Sequence, residues 1–470
     1  MTCSDTDLVD QATLQVGPRL ASTRPPPDDD LSWLPAWRIR QLIVTRKLSP
    51  VEVTDHFLRR IEALNPLLHA FRVVDYDGAR RQAKKVEAAV MSGAPLGPLA
   101  GIPIAVKELI AVESMPFWDP FLGERVVAER DALEVERLRR AGAVIVGVTI
   151  GGLSAFEFGN SDQQPQNPWD HLRVCGDSSS GSACAQASGM VPMALAADGL
   201  GSTRLPAAYC GLVGMLGARG RVAKTDRSQL VNSSLSHSGP LTRDVRDAAI
   251  MMSVLAGPDG RALFCLPDDP PAYLEGLDQG AEGMRLVWTD DFGYASTYAQ
   301  PESQRVIDTV RRAAEELRTL GAEVEQNRRV FDDPFGPAST IMLGDPGLAI
   351  YRKLPREDVF AAREARGRIW ETFRSVLEAR DFILSPTVQH VAPTRNAWAQ
   401  LWQVPPEGKL PSHMAVYAAH TAAANLLGWP AISIPAGMVD GMPVGLQILG
   451  GPNTEAKMLR LAHAFLALRS

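Results

Sequence analysis

"VPMALAADGLGSTRLPAAYCG" (residues 191–211) joins an apolar segment to a turn that contains two glycines and a serine. The apolar residues before Asp198 predict a buried β-strand, and Gly199 to Ser202 predict a tight turn at the end of that strand. Open α/β sheets place their chemistry at the carboxyl ends of strands. The stretch therefore marks Ser202 and the backbone around it as a candidate site.

Strand and helix patterns alternate along the chain around this stretch. "LAGIPIAVKEL" (99–109) predicts a buried strand, a helical pattern follows from Ala132 to Ala141, and "GAVIVGVT" (142–149) predicts the next strand. The chain closes with a helical pattern at residues 454–468. Because strand–helix–strand order is typical of α/β proteins, we predict an α/β fold.

The composition is that of a globular protein without a surface for polyanions. The chain has 470 residues, 45% of them hydrophobic, and a formal net charge of -6. This balance gives no basic surface of the kind that nucleic acids and anionic lipids attract. No run approaches the ~18 apolar residues of a membrane-spanning helix. We therefore expect no nucleic-acid partner and no membrane partner.

Cysteine usage and the first residues predict a cytoplasmic protein. The five cysteines are an odd number without C-x-x-C spacing, which fits a reducing compartment. Residues 1–30 lack the basic flank and apolar core of a signal peptide, and we predict that they form a mobile tail. We expect residues 31–470 to form a single domain, in which the less regular region 331–428 is a lid or pocket wall.

A second motif, "GDSSSGSACAQASG" (176–189), places serines and glycines before small apolar residues. A linker is unexpected, because the run leads at once into a segment suited to a tightly packed helix. The run lacks the spacing of a phosphate-binding loop and the G-x-S-x-G of an α/β-hydrolase. A chymotrypsin-like protease would be an all-β protein with a catalytic histidine. The remaining interpretation is a serine nucleophile whose base is not histidine.

The histidines do not suggest a metal site. The sequence has eight histidines and no H-E-x-x-H, and the closest pair, His413 and His420, has no obvious acidic partner. We predict no metal and no cofactor.

Lys107 is the candidate base. It is the only cation in "GIPIAVKELI" (101–110), where burial would lower its pKa from ~10.4. Strand side chains alternate, so Glu108 is expected to point to the opposite face and need not neutralise the lysine. The alternative is a surface lysine on an edge strand.

Lys107, Ser178 and Ser202 stand in order along the chain, together with longer matching segments. These segments are "GPLAGIPIAVKELI" (97–110), "GPLTRDVRDAA" (239–249) and "PAISIPAGMVDGMPVGLQILGG" (430–451). In these features the chain resembles the amidase signature family from about Leu31 to its C-terminus. The resemblance implies a mixed central β-sheet covered by helices on both faces.

The resemblance also implies a Ser-Ser-Lys apparatus. Ser202 would attack a carbonyl carbon, and Ser178, placed after a cis bond from Asp177, would relay the proton to neutral Lys107. The two serines are 202 − 178 = 24 positions apart, as in the family, which selects Ser178 as the relay. The neighbouring Ser179 and Ser180 are then expected to support the loop.

The turn after the strand is expected to stabilise the oxyanion. A growing negative charge is held by converging backbone N–H groups, and the candidate donors are Gly199, Leu200, Gly201 and Ser202. Asp198 and Arg204 bracket the turn, and we expect them to form a buried ion pair that supports it.

The chain departs from the family pattern at three places. Asp177 and Leu200 stand where the family usually has glycine, and "GMLGA" (214–218) replaces the common GLKPT. We expect Asp177 to have a hydrogen-bonded or ionic anchor. Leu200 is expected to narrow the acyl pocket or to alter the oxyanion loop.

The resemblance implies that the sequence after Lys107 and the late irregular region shape the substrate pocket. The candidates it indicates are Met115, Phe117, Trp118, Phe156 and parts of region 331–428, with ordinary core packing as the alternative. They predict a neutral, hydrophobic or aryl amide as substrate, with carbamates and esters as further substrates. We expect a monomer or a homodimer. Two alternatives remain: a glutamine-hydrolysing A subunit of a tRNA-dependent amidotransferase, and a catalytically degenerate binding protein.

Overall fold

The computed structural model describes residues 30–119, 122–151, 163–225, 235–344, 353–401 and 413–469. The predicted N-terminal tail, up to residue 29, lies outside the described residues, as does the pocket candidate Phe156.

Eleven of the described strands form one mixed sheet. In spatial order they are β1 (Phe71–Val74), β5 (Val144–Thr149), β2 (Pro103–Lys107), β8 (Met193–Asp198), β10 (His237–Thr242), β9 (Val213–Leu216), β14 (Ala431–Val439), β15 (Met442–Gly450), β13 (Phe382–Pro386), β11 (Arg285–Trp288) and β12 (Glu323–Gln326). Two hairpins pair outside it, namely β3 (Pro116–Asp119) with β4 (Glu124–Val127), and β6 (Gln166–Asn167) with β7 (Asp170–Val174).

Helices pack against the sheet along its length. The described ones are α1 (Ala36–Val44), α2 (Pro50–Leu68), α3 (Tyr76–Ser92), α4 (Leu133–Arg140), α5 (Ser180–Ala187), α6 (Arg204–Cys210), α7 (Val245–Leu255), α8 (Ser303–Glu315), α9 (Phe335–Leu343), α10 (Arg356–Leu377), α11 (Arg395–Leu401), α12 (His413–Ala418), α13 (Ala422–Leu427) and α14 (Glu455–Leu468). A mixed central sheet with packed helices confirms the predicted α/β class. Region 331–428 contributes strand β13 to this sheet.

The strand that ends at Lys107 and the strand that leads to the Ser202 turn lie side by side in the sheet. These strands are parallel neighbours, so their carboxyl ends lie at one edge of the sheet. Lys107 is the last residue of β2, and Asp198 is the last residue of β8. Strand β10 runs antiparallel to β8 and begins at the same edge, with His237 opposite Asp198.

Small residues allow α5 to pack deeply beside this edge. Every residue of α5 is buried. A Cβ on Gly181 would lie 2.3 Å from the carbonyl oxygen of Ala70 and 2.5 Å from that of Ile150, so a larger residue would collide with backbone. The serine and glycine run therefore leads into a buried helix, as its small residues predict.

The described cysteines are free thiols, and three of them, Cys175, Cys184 and Cys210, are buried. No helix in the described ranges combines the length and the apolar character that crossing a membrane requires.

A buried ion pair joins the end of β8 to the start of α6. Arg204 Nε lies 2.9 Å from Asp198 Oδ2, and both side chains are fully buried. The guanidinium also donates to Gln447 Oε1 and Asn425 Oδ1, at 2.7 and 2.6 Å. Burial alone would raise the pKa of Asp198, but Arg204, Asn425 and the Gly201 N–H together hold it well below its usual range. The pair thus ties β8 and α6 to α13 and β15.

Replacement of Arg204 by methionine should destabilise the fold strongly. It leaves the Asp198 carboxylate buried without its cation, so the free energy of unfolding in urea should fall by ~3–5 kcal/mol. Arg204→Met/Asp198→Asn removes both charges and should recover part of that loss. Arg374, which pairs on the surface of α10 with Glu371 and Glu378, provides a control whose methionine variant should unfold almost like the parent. An equal loss of unfolding free energy in the Arg204→Met and Arg374→Met variants would contradict a stabilising role of the buried ion pair.

Candidate active site

Lys107 is fully buried and faces neutral groups. Its Nζ lies 2.7 Å from Ser178 Oγ, 2.9 Å from Ser179 Oγ and 2.9 Å from the carbonyl oxygen of Ala197. Burial lowers the pKa of Lys107 to about 7, against the opposing charges of Asp198 and Asp177. The neutral amine is therefore well populated near neutral pH.

When the Lys107 amine is neutral, its three contacts determine which group donates in each hydrogen bond. A neutral amine has two N–H groups and one lone pair. The Ala197 carbonyl can only accept, and it also receives the Ser179 hydroxyl at 3.2 Å, so Ser179 Oγ accepts from the lysine. Both N–H groups are then used. The lone pair faces Ser178, whose hydroxyl can donate its proton to Lys107.

The neighbours of Ser178 have different surroundings. Ser180 Oγ is buried and forms no hydrogen bond within the described residues. The peptide bond between Asp177 and Ser178 is cis. Trp398 Nε1 donates to Asp177 Oδ2 at 3.0 Å, which supplies the anchor expected for this carboxylate.

Ser202 lies two residues before the start of α6 and is half-buried. No hydrogen bond joins its hydroxyl to Ser178 or to another residue in the described ranges, so the contact that extends from Lys107 stops at Ser178. Gly201 has a φ of 122°, and a Cβ there would lie 2.3 Å from Thr421 Oγ1. Glycine is therefore required beside Ser202.

One of the four predicted oxyanion donors is already in use. The Gly201 N–H donates to Asp198 Oδ1 at 2.6 Å, and Thr203 N–H donates to the other oxygen at 3.2 Å. This bond competes with the oxyanion role predicted for Gly201, because an N–H that already donates to a carboxylate binds a second anion less well. The N–H groups of Gly199, Leu200 and Ser202 donate to no other group in the described part of the chain.

Leu200 faces an apolar surface formed by later parts of the chain. Its partly buried side chain packs with Tyr298 against Phe335, Ala418 and Ala422. Its carbonyl oxygen accepts the hydroxyl of Thr421 at 2.7 Å, which fixes the loop. The sequence marks Leu200 as a departure, but no local pattern identifies these partners.

The other predicted pocket residues occupy different environments. Met115 and Phe117 are only 5% and 6% exposed and belong to the largest hydrophobic cluster of the fold. Trp118 is half-buried, with the guanidinium carbon of Arg125 5.3 Å from the centre of its ring. Their contact with a substrate remains a prediction.

Among the described residues, no histidine is placed to act as the base, and none hydrogen-bonds Ser178 or Ser202. His237 is nearest in register to the turn, and its Nδ1 pairs with the carbonyl oxygen of Gly217 at 3.3 Å. Burial lowers the pKa of His237 to about 3. No group of three or more His, Cys, Asp or Glu side chains in the described ranges is arranged to hold a metal ion.

Comparison with known proteins places the chain in a family. The sequence model of the amidase family matches residues 52–329 and 325–459. An acylamidase of Rhodococcus erythropolis is 29% identical over 94% of this chain and 97% of that protein. The A subunit of the glutamyl-tRNA(Gln) amidotransferase of Prochlorococcus marinus (strain MIT 9303) is 33% identical over 91% of this chain and 95% of that protein. The crystal structure of a bacterial aryl acylamidase superposes with a TM-score of 0.76 at 26% identity, covering 92% of this chain and 96% of that one. The chain therefore belongs to the amidase signature family of hydrolases.

Proposed function

We propose that the protein is an amidohydrolase that cleaves the C–N bond of hydrophobic or aryl amides through an acyl-enzyme on Ser202. The observation that carries the proposal is the 2.7 Å contact between Lys107 Nζ and Ser178 Oγ, made by a fully buried lysine. A buried amine of lowered pKa can act as a base, whereas an unaided serine hydroxyl is a weak nucleophile.

In the proposed reaction, Ser202 Oγ attacks the carbonyl carbon and gives its proton to Ser178. Ser178 passes its own proton to Lys107. The N–H groups of Gly199, Leu200 and Ser202 stabilise the oxyanion of the tetrahedral intermediate. The protonated lysine then returns a proton through Ser178 to the departing amine, and the C–N bond breaks. Water, activated by the same relay, hydrolyses the acyl-enzyme and restores Ser202.

The apolar surface beside Leu200 supports a hydrophobic or aryl group on the substrate, as do the acylamidase and aryl acylamidase relatives. The same attack on a carbamate would release an alcohol, an amine and carbon dioxide, and esters would be cleaved by the same steps. Met115, Phe117 and Trp118 remain candidates for the pocket. We propose a cytoplasmic enzyme that acts as a monomer or homodimer on small molecules.

The second candidate is glutamine hydrolysis as the A subunit of a tRNA-dependent amidotransferase, which the 33% identity with a protein of that kind favours. The apolar surface at Leu200 fits a polar glutamine side chain less well. Copurification with partner subunits would support this candidate. A catalytically degenerate binding protein would instead hydrolyse none of the substrates below.

The nucleophile can be tested by substitution and covalent labelling. A panel of p-nitroanilides, carbamates and esters should be hydrolysed by the protein, and a fluorophosphonate should label Ser202. Ser202→Ala should abolish both, while Ser178→Ala and Lys107→Ala should lower kcat by at least ~100-fold, the usual contribution of proton transfer. Thr225→Val, outside the proposed relay, is the control. Labelling that survives Ser202→Ala would rule out this nucleophile.

The rate should rise with pH through about 7. Only neutral Lys107 can accept a proton, and burial lowers its pKa to about 7, so the active fraction grows as pH rises through that value. The measurement is kcat/KM for a p-nitroanilide between about pH 5 and 9. The acid limb of this pH profile reports the pKa of the base in the free enzyme. A limb near the ordinary lysine pKa would show that Lys107 is charged at neutral pH and would refute the mechanism.

Leu200→Ala should widen the acyl specificity. It removes side-chain volume next to Tyr298 and Phe335, so amides with branched or bicyclic acyl groups should gain kcat/KM relative to acetyl amides, by ~10-fold for each one or two methylenes accommodated. Leu48→Ala, at a partly buried leucine that packs against the main hydrophobic cluster and is not a pocket candidate, is the matched control. An unchanged ratio of large to small substrates would remove Leu200 from the pocket.

A further inference from the structure

The carboxylate of Asp177 directly precedes the proposed relay serine and is held from a distant part of the chain. Asp177 is only 7% exposed, and its Oδ2 accepts the indole N–H of Trp398 at 3.0 Å. Trp398 lies in α11, within the late region of the chain. An indole N–H has one proton in a fixed direction, so this bond restrains the orientation of the carboxylate.

Aromatic rings in turn hold Trp398. Its ring packs edge-on against Tyr417, with centroids 4.6 Å apart, and Tyr417 packs edge-on against His390 at 4.7 Å. His390 Nδ1 lies 3.1 Å from the hydroxyl oxygen of Tyr209. A Cβ on Gly176 would lie 2.9 Å from the Tyr209 ring. These four side chains form an aromatic array. It lies against the loop before Ser178 at two points, at Gly176 through Tyr209 and at Asp177 through Trp398.

Backbone contacts fasten the same two segments together. The Val174 N–H donates to the carbonyl oxygen of Pro393 at 3.1 Å, and an Arg173 guanidinium N–H donates to that of Ala392 at 2.5 Å. Arg173 and Thr394 form an isolated antiparallel bridge. The segment that carries Trp398 is thus docked on the residues that lead into Ser178.

We propose that Asp177 and Trp398 are positioning residues for the reaction, in which the indole holds the carboxylate and thereby holds the Ser178 hydroxyl on Lys107. This inference rests on the proposed function. It assigns a role in catalysis to region 392–401, which makes no hydrogen bond to the nucleophile or to Lys107 within the described residues.

The charge of Asp177 has a separate consequence for Lys107. The direct contacts of Lys107 are neutral, and the charges that act on it are Asp198, Asp177 and Glu108, which raise its pKa, and Lys224, which lowers it. Removal of the Asp177 charge should therefore lower the pKa of Lys107 further. Burial lowers the pKa of His390, the histidine of the aromatic array.

Two single variants separate orientation from charge. Asp177→Asn keeps an oxygen that can accept the indole N–H but loses the charge, so the acid limb of kcat/KM should move to lower pH, by about 1 unit, with plateau kcat within a few-fold of the parent. Trp398→Phe keeps a ring and the charge but loses the N–H, so plateau kcat should fall about 10-fold, with KM and the acid limb unchanged. Trp370→Phe, on α10, is the control for a tryptophan replacement.

A double variant tests whether Trp398 acts through Asp177. In an Asp177→Gly background there is no carboxylate to hold, so Trp398→Phe should cause no further loss of kcat. A merely structural Trp398 would lower kcat again, or would change kcat and KM together, and either result overturns the inference. An acid limb that does not move in Asp177→Asn also overturns it. The unmodified protein is assayed first: hydrolysis without these effects refutes this inference alone, whereas no hydrolysis and no labelling of Ser202 refute the proposed function and this inference together.

Discussion

Burial of Lys107 is the constraint on which the rest of the site depends. A lysine at the end of an interior strand keeps an accessible neutral form only if the groups at its amine are uncharged. The three contacts of its amine are two hydroxyls and a carbonyl. Space is equally restricted, since a Cβ on Gly151 would lie 2.9 Å from Lys107 Cγ and 3.0 Å from the Ser178 carbonyl oxygen. The residues that contact Lys107 must therefore be uncharged, and Gly151 must remain small.

Carboxylates near Lys107 are compatible with this constraint because they are directed elsewhere. Glu108 follows Lys107 in sequence, but its oxygens accept Arg72, Arg125 and the Gly151 N–H. It therefore helps to hold the chain that closes over the lysine without pairing with the amine. Asp198 similarly accepts Arg204 and the turn that precedes α6. Glu108 and Asp198 thus direct their hydrogen bonds to arginines and backbone N–H groups, and neither carboxylate pairs with the amine.

The sequence could predict the α/β class and the family, because strand and helix periodicity and the order of Lys107, Ser178 and Ser202 are local or serial signals. It could also predict that Asp177 needs an anchor. It could not identify Trp398, since the two residues are 221 positions apart and no pattern near either one encodes the contact. The involvement of the Gly201 N–H with Asp198 depends on a side-chain orientation, which a sequence does not show. Apolar character likewise cannot distinguish pocket from core, and Met115 and Phe117 lie in the core cluster.

Region 331–428 contacts the two loops of the candidate site through hydrogen bonds. Trp398 holds Asp177, Thr421 holds the Leu200 carbonyl oxygen, and Asn425 donates to both the backbone and the side chain of Asp198. Each contact spans more than 200 positions of sequence, so these bonds form only when the late region is docked on the earlier strands. A lid that opened as a whole would release both loops at once. Trp398, Thr421 and Asn425 therefore hold the two loops only while the late region stays docked on the earlier strands.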